Sequence, residues 1–143
     1  MSETVAIAAD HGGFELKSIL LPELRALGFE VLDLGTTSGD AVDYPDMAES
    51  LALQMREGRA GRGVLICGTG IGMSIAINRH PELRGALVHD ALTARLARQH
   101  NDANVLVLGG RVLGPELAKD CLKTFFTTSF DGGRHARRVA KLS

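Results

Sequence analysis

Short apolar runs and stretches of helical periodicity alternate along the chain. The apolar runs are continuous instead of alternating with polar residues, which is typical of strands buried on both faces of a parallel sheet. Five strands are predicted on this pattern: Val5–Ala9, Phe29–Leu34, Gly63–Cys67, Gly85–Val88 and Val105–Leu108.

Apolar residues at helical spacing follow each of these strands. Gly28 closes the first periodic stretch and Pro45 suits the first turn of the second, as expected at the end and the start of a helix. The predicted helices are Phe14–Leu27, a helix from Pro45 to Gly58, a helix from the glycine-rich turn after Cys67 through Ile77, Ala91–Arg98, Pro115–Thr127 and the basic stretch Arg134–Lys141.

This alternation predicts an α/β fold of three layers, a Rossmann-like domain with a five-stranded parallel sheet between two layers of helices. Ligands of such folds bind at the carboxyl ends of the strands, at a topological switch point. The two most unusual loops, Asp10–Gly13 and Cys67–Gly72, follow the first and third strands. If they share a site, these strands are neighbours, and the predicted strand order is 2-1-3-4-5.

Length, charge and cysteine content narrow the class of protein. A chain of 143 residues suits one domain, residues 1–143. The net charge of -1 argues against a nucleic-acid partner, and no apolar run approaches the roughly 20 residues that cross a bilayer. The first residues lack the basic segment of a signal peptide, and two cysteines cannot build a disulfide framework. We therefore expect a cytoplasmic protein with no membrane or nucleic-acid partner.

The glycine-rich turn of Gly68, Gly70 and Gly72 follows the third strand. Such a turn lets successive backbone N–H groups face an anionic ligand at a helix start. The spacing departs from the G-x-G-x-x-G fingerprint of dinucleotide-binding folds, although Asp90 lies about 20 residues further on, where that fingerprint needs an acid. A dinucleotide site, and with it an NAD(P)-dependent oxidoreductase, stays open as an alternative.

Cys67 stands at the edge of this turn, where the positive end of the following helix favours the thiolate form. A thiolate beside a row of N–H donors is a base or nucleophile beside an oxyanion hole. The other interpretation is a small buried hydrophobic residue at a strand end, and position alone does not separate the two. Cys121, within an amphipathic helix, is interpreted as a core residue.

Two histidines are candidates for chemistry. His11 lies beside an acid and two glycines at a strand end, and His100 lies in a dense polar run before the fifth strand. His100 can also be a helix C-terminal residue that interacts with the helix dipole. The histidines and cysteines lack the paired short spacings of a zinc site, so no metal is expected.

The basic tail contains Arg134 and Arg138 four residues apart, on one helical face, as a phosphate clamp requires. A solvated face or a nucleic-acid arm is the more usual interpretation of such a run. A non-catalytic phosphate sensor or nucleic-acid module is therefore a further alternative. Arg111 is another arginine at a strand end.

Five segments together resemble the type B ribose-5-phosphate isomerase family: AADHGGFELK, DYPDMA, LICGTGIGMSIAINR, RQHNDANVLVLGGRV and GGRHARRV. The resemblance is in register across essentially the whole chain. It implies an enzyme that interconverts aldose and ketose phosphates, ribose 5-phosphate and ribulose 5-phosphate first, through a cis-enediolate and without metal or organic cofactor. A hexose 6-phosphate or a tetrose phosphate is the alternative substrate.

The resemblance also implies roles for single residues. Cys67 matches the base that moves a proton between C2 and C1; some members place a glutamate further along the loop, where this chain has Met73. Thr69 matches the loop hydroxyl, and His100 matches the acid that opens the sugar ring. The substrate contacts implied are the turn amides of Gly68, Gly70, Ile71 and Gly72, the side chains of Asp10, His11 and Asn101, and phosphate contacts from Arg111, Arg134 and Arg138.

In the resembling family the site lies between two subunits. The resemblance therefore implies a homodimer with the C-terminal helix at its interface, in which the His100 region reaches across to the partner. It leaves open whether dimers pair further into a tetramer.

Overall fold

The computed structural model describes residues 2–143. Its strands are β1 (Thr4–Ala9), β2 (Glu30–Asp33), β3 (Arg62–Cys67), β4 (Gly85–Leu87) and β5 (Val105–Gly109). Its helices are α1 (Phe14–Ala26), α2 (Tyr44–Arg56), α3 (Ile71–Ile77), α4 (Ala91–Asn101), α5 (Pro115–Phe126) and α6 (Arg134–Ala140). Every predicted element is present, and most boundaries move by one to three residues. Within residues 2–143, none of these helices is long and apolar enough to span a bilayer.

The five strands form one all-parallel sheet, which confirms the predicted α/β, Rossmann-like architecture. The predicted order of the strands, 2-1-3-4-5, is wrong at one end, because the observed order is β2-β1-β3-β5-β4. β5 is buried along its whole length and pairs with β3, whereas β4 has three half-buried residues and forms the edge. The longer, wholly apolar strand occupies the position that is covered on both faces.

Helices cover both faces of the sheet, and each face has its own apolar core. Alternate residues of β1 point to opposite sides: Val5 and Ile7 pack with α1, α4 and α5, whereas Ala6 and Ala8 pack with α2 and α3. Cys121 is fully buried in the first of these cores, as expected for a structural cysteine.

The course of α4 separates two ends of the molecule. It begins after β4 at the carboxyl edge of the sheet and ends beside the starts of β3 and β5, where Gly63 donates its N–H to the Asn104 carbonyl. Eleven residues at 1.5 Å each give α4 a length of about 16 Å. Residues at the end of α4 therefore lie at the opposite edge of the sheet from the glycine-rich turn that starts α3.

An ion pair between a buried lysine and a partly exposed aspartate fastens α1 to the edge strand β2. The Lys17 ammonium, 2% exposed, donates to both carboxylate oxygens of Asp33 at 2.8 and 2.9 Å. Oδ1 of Asp33 also accepts the Gly35 N–H at 3.0 Å, so the pair fixes the start of the loop that leads to α2.

Candidate active site

Loops after three neighbouring strands meet at the carboxyl edge of the sheet. The loop after β5 is tied to the glycine-rich turn after β3, because Gly110 donates to the Cys67 carbonyl at 2.8 Å and Arg111 donates to the Gly68 carbonyl at 2.9 Å. Asp10, at the end of β1, donates its N–H to the Ile66 carbonyl. The observed strand order therefore brings Arg111 directly to the site, where the predicted order would have placed it one strand further away.

The glycine-rich turn is shaped so that a backbone N–H points at the cysteine sulfur. Gly70 has φ of +81°, a left-handed conformation that favours glycine, and a Cβ there would lie 2.5 Å from the Leu87 side chain. Its N–H donates to Sγ of Cys67 at 3.2 Å. Cys67 is 5% exposed, so the sulfur is held beside an amide donor with little water around it. A donor so placed can hydrogen-bond to the sulfur as it gains or loses a proton.

Thr69 and Tyr44 border the same turn. The Thr69 hydroxyl oxygen accepts the Ile71 N–H at 3.2 Å, which leaves the hydroxyl proton free to point at a ligand. A Cβ on Gly72 would lie 2.5 Å from the ring of Tyr44, so this glycine gives the tyrosine its place. Tyr44, 40% exposed, forms a wall of the site. The sequence patterns gave this tyrosine no role. Its only signal was its place in the DYPDMA segment.

His11 and Asp10 are held by backbone amides. Oδ1 of Asp10, a buried residue, accepts the Gly12 N–H at 2.9 Å. Nδ1 of His11 accepts the Val42 N–H at 3.3 Å, so the neutral ring carries its proton on Nε2 and can donate it to a ligand. His11 and Arg111 line the same cleft, together with Glu15, so two donor side chains there can contact an anionic group beside one carboxylate.

The remaining predicted residues lie at the opposite, amino edge of the sheet. His100, Asn101 and Arg138 line one cleft between α4 and α6, and Arg134 begins α6 beside His135. Asp131 donates its N–H to the Gln99 carbonyl at 3.0 Å, which anchors the segment before α6 to α4. The predicted site is thus divided into a carboxyl-edge half and an amino-edge half.

The amino-edge half contains a group of possible metal ligands. One donor atom each from His100, Asp131 and His135 lie within 4.8 Å of one another. The two imidazole rings are stacked, with centroids 4.3 Å apart and planes 12° from parallel. The lone pair of a ring nitrogen lies in the ring plane, so the lone pairs of two stacked rings point in parallel directions. At least one ring must rotate before a nitrogen of each can bind the same ion. That no metal is bound stays a prediction.

Charges around His135 bear on its protonation. Desolvation, followed by the neighbouring His100 ring and the Arg134 and Arg138 guanidiniums, lowers the pKa of His135, and the Asp131 carboxylate opposes this. The His135 ring is therefore neutral over more of the range near pH 6 than a free histidine.

Asp90 has a structural role. Its side chain caps α4, and Oδ1 accepts the Thr93 N–H at 2.7 Å and the Thr93 hydroxyl at 2.8 Å. These bonds lower the pKa of Asp90. Since these are the hydrogen bonds of a helix cap, the place of Asp90 in the sequence no longer supports the dinucleotide alternative.

Known proteins resemble this chain over almost its entire length. The family model described as Ribose/Galactose Isomerase matches residues 5–142. Ribose-5-phosphate isomerase B of Escherichia coli is 42% identical over 97% of this chain and 93% of its own length.

Solved structures agree with these matches. The ribose 5-phosphate isomerase of Thermotoga maritima is 49% identical, with a TM-score of 0.95 over 99% of this chain and 98% of that one. The type B ribose 5-phosphate isomerase of Trypanosoma brucei is 45% identical, with a TM-score of 0.96 over 99% of this chain and 97% of that one.

Proposed function

Because this chain belongs to the ribose/galactose isomerase family and is an aldose–ketose sugar-phosphate isomerase, we propose that it interconverts ribose 5-phosphate and ribulose 5-phosphate. The names of its relatives in Escherichia coli and Thermotoga maritima support this sugar. The observation that carries the proposal is the Cys67 sulfur, nearly buried and 3.2 Å from the Gly70 N–H in the glycine-rich turn.

The proton transfer follows from that turn. The Cys67 thiolate removes the proton from C2 of the open-chain aldose, the C2–H electron pair forms the C1–C2 double bond, and negative charge develops on the carbonyl oxygen. The turn amides and the Thr69 hydroxyl stabilise the resulting cis-enediolate. The proton of the C2 hydroxyl then passes to the C1 oxygen, the C2 carbonyl forms as the electrons of the double bond take the proton from Cys67 at C1, and the thiolate is restored. A positioned base contributes about 10²–10⁴-fold and one oxyanion donor about 10²–10³-fold, so the reaction needs both at one turn.

Ring opening and phosphate binding use the amino-edge half. His100 donates a proton to the ring oxygen of the cyclic sugar as the bond between that oxygen and C1 breaks and the C1 hydroxyl releases its proton to water. Arg134 and Arg138, one helical turn apart on α6, bind the phosphate together with Arg111 of the carboxyl-edge half. No metal ion or organic cofactor takes part in this scheme.

Two chains are needed to assemble this site. The two halves lie at opposite edges of the sheet, which are separated by about the 16 Å length of α4, so the amino-edge half of one chain completes the carboxyl-edge half of its partner. Ile71 and Ile75, 54% and 57% exposed, lie one turn apart on α3 beside the glycine-rich turn. This apolar face supports a homodimer in which a second copy covers it.

We also propose that the enzyme works in the cytoplasm.

Hexose 6-phosphates and tetrose phosphates are the alternative substrates. The family description names galactose beside ribose, and a change in the distance between the two halves of the site would suit a longer or shorter sugar.

The proposal is tested by turnover in deuterium oxide, followed by NMR, over aldose phosphates of four to six carbons. We expect ribose 5-phosphate to be the best substrate and the ribulose 5-phosphate formed to carry deuterium at C1. The Cys67→Ala variant should be inactive with its fold intact. Cys67→Ser should be nearly as poor, because an unactivated hydroxyl is a much weaker base than a thiolate.

Two outcomes would contradict the proposal. Conversion of a hexose 6-phosphate in preference to ribose 5-phosphate would mean that the hexose 6-phosphate is the substrate. Retention of most activity in folded Cys67→Ala would remove the thiolate from the mechanism.

A further inference from the structure

His135 lies in the amino-edge half, and neither the residue patterns nor the resemblance gave it a role. Its ring lies parallel to that of His100 at 4.3 Å between centroids, although the two residues are 35 positions apart in the chain and on different helices. Stacking of flat rings is a specific arrangement, because an unconstrained pair of surface side chains samples many orientations.

Residues before and after His135 in the chain help to hold its ring beside that of His100. Asp131 is bonded to the Gln99 carbonyl and Gly132 accepts the N–H of His135, so the start of α6 is fastened to the last turn of α4 just before His100. Val139 and Leu142 line the same cleft further along the chain. The charged side chains that act on the His135 ring are Asp131, Arg134 and Arg138.

A ring-opening acid needs this kind of support. Proton transfer to a sugar oxygen requires the donor nitrogen at hydrogen-bond distance and correctly aimed, and a displacement of about 1 Å costs up to about 10²-fold in rate. A histidine in the last turn of a helix has two side-chain torsions to fix, and within the amino-edge half the flat surface against the His100 ring is His135.

We propose that His135 is a positioning residue for His100: its stacked ring fixes the plane of the His100 imidazole in the orientation that opens the cyclic sugar. This inference rests on the proposed function, and it assigns to α6 a second task beside phosphate binding.

The kinetic test compares a ring-form substrate with an open-chain one. Ribulose 5-phosphate cannot close a five-membered ring, because its 5-hydroxyl is esterified, so exchange of its C1 proton with deuterium oxide needs Cys67 and no ring opening. We expect His135→Ala to lower kcat/KM for ribose 5-phosphate about tenfold and to leave the exchange at C1 unchanged. His135→Phe, which keeps a flat ring, should restore most of the loss. The control is Arg137→Ala, an exposed residue of the same helix.

A second measurement does not depend on activity. The ring protons of His100 should show nuclear Overhauser contacts to those of His135 in the wild type, because the two rings are stacked with centroids 4.3 Å apart. In His135→Ala these contacts should be absent and the ring-proton shifts of His100 should move, because the ring current of the neighbouring imidazole is lost. This would show the contact in solution even for a chain that isomerised no sugar phosphate, so the pairing and the proposed function fail separately.

Two results would overturn the inference. Equal losses of ribose 5-phosphate turnover and of C1 exchange in His135→Ala would make His135 a substrate contact. Wild-type kinetics in His135→Ala, in an enzyme that isomerises ribose 5-phosphate, would leave the stacking without a role in the reaction.

Discussion

At the scale of single residues, the two cysteines show how position in the fold decides chemistry. Cys67 lies at the end of β3 beside a backbone donor, whereas Cys121 is fully buried among apolar side chains of α5. Burial, and then the nearby Asp120 and Asp90 carboxylates, raise the pKa of Cys121 to about 11. Only about one Cys121 in a thousand is therefore ionised at pH 8.

Iodoacetamide should consequently modify Cys67 and spare Cys121 in the native enzyme at pH 8, with loss of activity in proportion to labelling. Ribose 5-phosphate should slow the reaction because it covers the sulfur. Peptide mapping by mass spectrometry checks the site, and urea-unfolded protein, in which both cysteines react, is the control. Labelling of Cys121 in the folded protein would contradict this, because it would show that the reagent reaches the Cys121 thiol.

The sequence indicated most of these residues but not their contacts. Cys67, His11 and Arg111 were visible as reactive side chains at strand ends, where ligands of such folds bind. Tyr44 and His135 were not, because each acts through a neighbour that is distant in the chain, Gly72 for the tyrosine and His100 for the histidine. Asp90 was misleading because its spacing fits a ribose-binding acid, while its hydrogen bonds are those of a helix cap.

At the scale of secondary structure elements, the Lys17–Asp33 ion pair links α1 to β2, and its contribution to stability can be tested by substitution. Asp33→Asn leaves a buried ammonium without its counter-charge and should cost about 3 kcal/mol of unfolding free energy. Lys17→Met should cost less, because the methionine fills the buried site and the Asp33 carboxylate, about one-third exposed, reaches water. Urea unfolding of both variants checks this order, and a greater loss in Lys17→Met would contradict it.

The order of β4 and β5 in the sheet could not be predicted from the pattern of apolar residues. Unusual loops after the first and third strands correctly placed β1 beside β3, because residues of one site come from neighbouring strand ends. Those loops carry no information on which later strand joins β3. The two runs predicted from the sequence, Gly85–Val88 and Val105–Leu108, are equally long. The difference appears only in the structure, where β5 has five residues and β4 has three.

At the scale of the whole molecule, the positive charge of α6 belongs to the amino-edge half of the site. Arg134→Ala and Arg138→Ala should each lower kcat/KM for ribose 5-phosphate about tenfold or more, the cost of one charge-assisted hydrogen bond. Part of the loss should fall on kcat, because phosphate binding positions the reacting end of the sugar. Steady-state kinetics beside the Arg137→Ala control measure this, and unchanged values in both variants would make α6 a solvated face.

The central claim is that Cys67 of one chain works with His100 of its partner, and mixing two inactive variants tests it most directly. Cys67→Ala and His100→Ala proteins are unfolded together and allowed to reassociate. Random pairing makes about half of the dimers mixed, and each mixed dimer has one intact site, so roughly a quarter of wild-type ribose 5-phosphate turnover should return.

The matched control mixes Cys67→Ala with Cys67→Ser, whose lesions lie in the same half of the site and cannot complement each other. Native mass spectrometry with one tagged partner measures the fraction of mixed dimers. Recovery of about a quarter of the activity in the first mixture and none in the second is the predicted result. No recovery in the first mixture, with mixed dimers present, would contradict a site shared between two chains.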